Sequence, residues 1–184
     1  MGEFHIIPSI RKIKYLPYAL SLNHKYIYLS DIHLGNLQGF VKLCHDAKKR
    51  VIVNMDLVGG LEPNTIGIKL LKQLYKVDIV IGRGSSKVNM AKATGLDTIQ
   101  RIVLEDSIAL ETSEKYINDT KSDFIELRPG IYGLKYLHEL KKIRNVPFIL
   151  SGFINSEQAI FEAKNVGFFG ITTSEQSLWN VKTK

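Results

Sequence analysis

The chain has 184 residues, 45% of them hydrophobic, a formal net charge of +7 and a single cysteine, Cys44. That is material for one sizeable core; no apolar stretch nears the roughly 20 residues that cross a bilayer, and one cysteine allows no internal disulfide. A basic surface favours polyanions through long-range attraction and counterion release, and without a secretory pattern at its start the chain is expected to be cytoplasmic.

A first strand is predicted over 4–10 and a helix over 13–22, whose opening Pro17 makes irregular. The second strand spans 26–31. The helix after it, 37–49, puts Phe40, Leu43, Cys44 and Ala47 on one face at 3.6 spacing, which reads Cys44 as a small core hydrophobe. A third strand covers 51–56. The helix over 64–75 follows, with Asn64 as N-cap and Ile66, Leu70 and Leu74 facing inward. The fourth strand, 78–82, runs into a Gly-Arg-Gly-Ser-Ser turn and a short helix over 87–93, stopped near Gly95. The fifth strand is 98–104, and Asp106 or Ser107 caps the helix running towards Asn118. The sixth, 123–127, meets Arg128-Pro129-Gly130, which breaks regular structure. Then come a helix over 132–144, a strand over 148–151 and a helix opened by an Asn155/Gln158 capping box. An eighth strand over 168–172 and a last helix over 174–181 complete the pattern.

Strict alternation of strand and helix demands a parallel sheet. Eight units make either a closed barrel or an open doubly wound sheet, and neither a GxGxxG fingerprint nor a Walker-type loop is present to favour the open form. The expected fold is a compact α/β (β/α)8 TIM-type barrel forming a single domain over 1–184. The chain is short for that fold, which typically takes about 250 residues, so one unit can be degenerate.

In such a barrel every strand ends at the same rim. Ser151-Gly152-Phe153-Ile154 follows the seventh strand and Thr172-Thr173-Ser174 the eighth, the two loops that commonly hold a phosphate group. Unpaired N–H groups and a helix dipole favour an anion, and glycine lets the backbone come close. Gly152, Phe153, Thr173 and Ser174 are therefore the candidate phosphate ligands, although Gly152 can equally serve a tight turn and Ser174 a helix cap. Other strand ends offer Asp31, His33, Asp56, Arg83, Arg101, Glu105 and Glu126. Carboxylates accept sugar or polyol hydroxyls and arginines suit anions. From these, Asp31, Asp56, Arg83, Arg101 and Glu126 form the candidate set for the hydroxyl-bearing part of a small phosphorylated ligand. Asp56 with Arg83, or Arg101 with Glu126, reads equally well as a structural ion pair.

Asp31, Asp56 and Glu126 can do general acid–base work if their pKa values are raised, which keeps open a small barrel enzyme acting on a phosphorylated triose or sugar. No lysine stands at a strand end to form a Schiff base. His33 reads as a base, a metal ligand or a hydrogen-bonding loop residue. The other histidines show no HxH or HExxH spacing, so no metal is inferred.

Asp31-Ile-His-Leu-Gly35, Asp56-Leu57 with Gly60, Arg83, Gln100-Arg101, Asp123-Phe-Ile-Glu126 with Pro129-Gly130, Gly152-Phe-Ile154, and Thr172-Thr-Ser174 with Leu178-Trp179 recur in an order that is similar to one family. The chain resembles, essentially end to end, the glycerol-3-phosphate-responsive antiterminators, bacterial regulators of glycerol uptake and metabolism. The resemblance implies a barrel that senses glycerol 3-phosphate as effector, with no cofactor and no catalysis. It also implies action on the leader of a nascent messenger RNA to prevent early termination; a homodimer is a further expectation. Four positions depart from the family pattern: Ser151 replaces a glycine, Gly84-Ser85-Ser86 follows Arg83, Asn54 replaces a histidine, and Arg128 takes an apolar position.

For RNA the sequence offers three basic clusters. They are Lys69, Lys72 and Lys76; Lys135, Lys141, Lys142 and Arg144; and Lys48, Lys49 and Arg50. Each is equally readable as a solvated face. No RRM- or KH-like motif appears, and no aromatic platform is identifiable.

Overall fold

The computed structural model describes residues 3–183. Eight parallel strands close a barrel in chain order. They are β1 (His5–Ile10), β2 (Tyr26–Leu29), β3 (Arg50–Asn54), β4 (Ile79–Gly82), β5 (Asp97–Val103), β6 (Phe124–Arg128), β7 (Phe148–Ser151) and β8 (Gly170–Thr173). Pairing of β1 with β8, His5 opposite Gly170 through Pro8 opposite Thr173, completes the ring. Seven α-helices fill the crossovers: α1 (Leu16–Ser21), α2 (Leu34–Asp46), α3 (Thr65–Gln73), α4 (Ser85–Ala93), α5 (Ser107–Asp119), α6 (Gly130–Ile143) and α7 (Glu157–Val166). All strand C-termini therefore share a carboxyl rim, and all strand N-termini share an amino rim.

Side chains alternate across each strand. One set fills the barrel: Ile7, Tyr26, Tyr28, Ile52, Ile79, Ile81, Ile99 and Ile149. The other set meets the helices, as Val51 and Val53 do with Ile68 and Leu71 on one side of the ring. Leu127 and Leu150 meet Leu137 and Leu140 on the other. Burying each such side chain contributes about 1.5–3 kcal/mol, so both layers, not the interior alone, hold the barrel closed.

Four expectations are corrected. Helix α2 buries Leu37, Val41 and Cys44, leaving Leu43 half exposed. Cys44 is a core residue as expected, and burial pushes its thiol up to about 12, far from nucleophilic use. In α3 the buried face is Gly67, Ile68 and Leu71, while Ile66, Leu70 and Leu74 lie exposed. The reason is close approach: a β-carbon at Gly67 would come within 2.0 Å of the Glu62 carbonyl oxygen. The glycine face is pressed on the preceding loop, and the larger residues turn away. Helix α7 is capped by Ser156, whose hydroxyl accepts the Ala159 N–H at 3.3 Å, rather than by Asn155.

The helix expected over 174–181 is a short 3-10 turn, Gln176–Leu178. Trp179 takes its place: it is 1% exposed, its Nε1–H donates to the Thr173 carbonyl at 2.9 Å, and its ring stacks on Tyr18. The last unit is thus the degenerate one. The short first crossover, a 3-10 turn (Ile13–Tyr15) followed by α1, matches the irregular opening read at Pro17.

Candidate functional site

At the end of β7, Gly152 (φ 79°) and Phe153 (φ 59°) are consecutive left-handed residues. For a bulky side chain this conformation costs of order 1–3 kcal/mol and persists only where the surroundings impose it. A turn at a strand end can leave backbone N–H groups free for an anion. Among the described residues none accepts a hydrogen bond from the backbone N–H of Gly152, Phe153 or Ser174. The Gly152 carbonyl accepts the Gly130 N–H at 2.9 Å, which ties this loop to the start of α6. Phe153 is 87% exposed, so its ring leaves the backbone open to the rim.

Thr173 departs from its expected part as an open hydroxyl donor. Its hydroxyl donates to the Ile154 carbonyl at 2.7 Å and accepts the Glu175 N–H at 3.1 Å. It clamps the β8 loop to the β7 loop, so the two predicted phosphate loops do meet, through a residue that is itself engaged. The inward positions are Ser151, which follows Ile149 by two, and Thr172, one place before Thr173. Among the described residues neither hydroxyl has a hydrogen-bond partner, and Ser174 is exposed. Sequence reasoning counted Thr173 with the open loop because it ended the eighth strand at Thr172, whereas the strand includes Thr173; the outward-facing Ile171 is the signal that resolves the parity.

Arg128 is the residue sequence reasoning undervalued. Along β6 it shares the inward parity of Phe124 and Glu126. A β-carbon at Gly152 would lie 3.6 Å from Arg128 Nε, so the guanidinium stem flanks the open amides. Among the described residues Arg128 has no carboxylate partner.

The hydroxyl-side candidates divide. Arg101 and Glu126, 6% and 1% exposed, pair inside the barrel through Nε and Oε2, with Nη2–H also donating to Oε1 at 3.3 Å and to Tyr28 Oη at 3.4 Å. Burial pulls the Arg101 pKa down, but the Glu126 charge and then Tyr28 outweigh it, so the guanidinium is held more firmly protonated than usual. This pair forms a floor beneath the rim. Asp56 accepts the Arg83 backbone N–H at 3.0 Å and faces Lys87 Nζ at 3.7 Å, while its own N–H is held by Asn54 Oδ1 at 3.0 Å. It joins the loops after β3 and β4 without pairing with the Arg83 side chain. Asp31 and the Arg83 side chain are exposed at the rim. A groove of about 560 Å³ beside β5 is lined by Arg83, Arg101, Val103 and Glu105, with Ile108 and Tyr116 of α5.

His33 is a loop residue at the start of α2. Its N–H donates to Asn36 Oδ1 at 3.2 Å, its Nε2 meets the Asn36 amide at 2.9 Å, and it bridges Gly59. Among the described residues no group of three or more metal-ligating side chains assembles. What the rim offers chemically is unpaired amides and a cation on the β6–β8 side, with carboxylates and an arginine across it.

Three comparisons bear on this arrangement. A family model described as glycerol-3-phosphate responsive antiterminator matches residues 6–179. The uncharacterized protein YgcP of Escherichia coli K12 is 25% identical over 179 residues, covering 97% of this chain and 93% of its own. The crystal structure of the glycerol uptake operon antiterminator regulatory protein from Listeria monocytogenes 4b F2365 superposes with a TM-score of 0.92 at 26% identity, covering 99% and 98% of the two chains. A glycerol uptake operon antiterminator-related protein from Thermotoga maritima gives 0.84 at 25%, covering 98% and 100%. Barrel enzymes at 9% and 15% identity share the fold alone. The carboxyl-rim residues that resembled one family in order and spacing thus lie within a match running nearly end to end, and the chain belongs to the glycerol-3-phosphate responsive antiterminators.

Proposed function

We propose that this protein is a glycerol 3-phosphate sensor that controls its own binding to a leader messenger RNA and so prevents premature termination of glycerol-metabolism genes. One observation carries the effector half of that reading: the unoccupied amides of Gly152 and Phe153 beside the unpaired Arg128. The phosphate sits at those amides with Ser174, and Arg128 adds charge-assisted donors. The glycerol hydroxyls turn to Ser151 and Thr172 and across the rim to Asp31, with Asp56, Arg83 and the Arg101–Glu126 pair shaping the far wall and floor. No cofactor takes part.

The effector shifts an equilibrium only as far as it binds the RNA-competent form more tightly, about 1.4 kcal/mol for each factor of ten. Bridging the loops after β7 and β8 to α6 gives it that differential contact. Titration calorimetry with glycerol 3-phosphate and with glycerol is the test. Glycerol 3-phosphate is expected to bind and glycerol to bind far more weakly; equal binding removes the phosphate corner from the account.

An enzyme acting on a phosphorylated triose or sugar would use the same corner. Two of the three side chains it could use as acid or base are engaged elsewhere, Asp56 with Arg83 N–H and Lys87, and Glu126 with Arg101, which leaves Asp31 exposed at the rim. Turnover of glycerol 3-phosphate that Asp56→Asn abolishes would favour the enzyme instead.

A further inference from the structure

At the amino rim, opposite the ligand cup, strand N-termini and helix C-termini meet. Lys25 directly precedes β2, Lys48 lies between α2 and β3, Lys76 between α3 and β4, Lys121 between α5 and β6, and Lys142 in the last turn of α6. All five are exposed, and among the described residues none has a carboxylate partner. The acids of this rim are already paired: Asp46 with Lys42 at 2.6 Å, Asp78 with His45 at 2.9 Å, Asp97 with Arg50 at 2.6 Å and Asp123 with Lys92 at 2.5 Å. Glu3 and Asp119 remain as acids that can offset the lysines. Lys49, Lys72, Lys141 and Arg144 donate to loop carbonyls instead and keep their charge uncompensated.

Helix C-termini favour cations in any protein, which explains lysines in last turns. It does not explain what these lysines surround. His5, Tyr26, Phe124 and Phe169 form a contiguous aromatic group at the amino end of the barrel, with ring centroids 4.6 to 6.1 Å apart. Strands β2 and β6 are opposite in the ring, so the chain of contacts Tyr26–Phe169–Phe124 crosses the barrel axis. His5, Phe124 and Phe169 remain partly exposed, and Lys25 Nζ lies 5.4 Å from the Tyr26 ring centroid. Burial, partly offset by Glu3, lowers the His5 pKa, leaving an uncharged ring near neutrality.

A cationic track around partly exposed aromatic rings is the kind of surface single-stranded RNA uses, the phosphates held by lysine and the unstacked bases by rings. The sequence's three basic clusters converge here, apart from Lys69 and Lys135, which lie farther along their helices. We infer that single-stranded leader RNA docks on this amino rim, across the barrel from the effector, with Lys48, Lys76, Lys121 and Lys142 contacting phosphates and the His5–Phe124–Phe169 group stacking a base. This rests on the RNA-regulator reading above and supplies the face that reading leaves unassigned.

The test uses the full chain, saturating glycerol 3-phosphate and a labelled single-stranded transcript carrying an intrinsic terminator hairpin. RNA affinity is measured against salt for the wild type, for the combined Lys48→Gln, Lys76→Gln, Lys121→Gln and Lys142→Gln variant, and for a Lys69→Gln/Lys135→Gln control. Each lost phosphate contact lowers the slope of log K against log salt by about 0.7, close to 3 for the four together. The control keeps the wild-type slope, and calorimetric affinity for glycerol 3-phosphate is unchanged in both. A combined variant that binds RNA like the wild type overturns the docking face while leaving the regulator standing. An equal loss in the control also overturns it, because charge alone would then suffice. A wild type that retains no RNA removes the regulator and this face together.

Discussion

Arg128 and the Arg101–Glu126 pair show what a single charged residue does at each depth of the cup. Arg128 is partly exposed and unpaired beside Gly152, so under the proposed reading its contribution is to ligand affinity. Arg128→Gln is expected to weaken glycerol 3-phosphate binding about tenfold or more, the scale of one charge-assisted hydrogen bond. Calorimetry reads it directly, and an unchanged affinity takes Arg128 out of the site. Glu126 faces the opposite situation. Glu126→Gln leaves the Arg101 guanidinium inside the barrel without its counter-charge, a loss of about 3–5 kcal/mol, visible as a lower urea midpoint. A variant as stable as the wild type would show that the pair is not a structural floor. Arg101 and Glu126 were legible in the sequence as strand-end charges, readable either as ligand contacts or as an ion pair. What decides for the pair is the register that sets Arg101 opposite Glu126 between β5 and β6. Thr173 was misread because the strand was ended one residue short, which left an outward-facing strand residue looking like part of an open loop.

Among the elements, the alternation of apolar runs and helices gave the parallel sheet, the lack of a GxGxxG or Walker-type loop favoured the closed ring that forms, and caps at Asn64 and Asp106 marked helix starts correctly. The face of α3 was not legible. Hydrophobicity pointed to Ile66, Leu70 and Leu74, whereas packing is decided by the glycine that permits approach to the Glu62 carbonyl. The last unit escaped for another reason: Trp179 alone replaces a helix by linking Thr173, Tyr18 and His24. That link titrates. His24 Nε2–H donates to the Trp179 carbonyl at 2.6 Å, and burial lowers its pKa below the ordinary 6.5 despite that bond. The folded state therefore binds fewer protons than the unfolded chain. Stability from this residue is full above 6.5 and is lost as pH falls from there through the lowered folded value. The thermal midpoint is expected to drop between about pH 7 and pH 5, and His24→Gln, which keeps a donor without titrating, should flatten the dependence. His5 shifts in the same direction, so some slope remains. A midpoint indifferent to pH over that range contradicts the assignment.

At the scale of the whole molecule the barrel separates two chemistries. The carboxyl rim gathers open amides, Arg128 and acceptors, the donors and acceptors the proposed effector would use, and the amino rim presents uncompensated lysines around an aromatic group. The proposed function, an effector sensor that acts on RNA, would need both in one chain. Net charge and three basic clusters in the sequence hinted at a polyanion, but the aromatic group joins residues from four strands and their approaches, which only closure of the ring brings together. The direct measurement is retention of a terminator-containing leader transcript with and without glycerol 3-phosphate. The effector is expected to raise RNA affinity while glycerol leaves it unchanged. RNA binding indifferent to glycerol 3-phosphate would contradict the sensor.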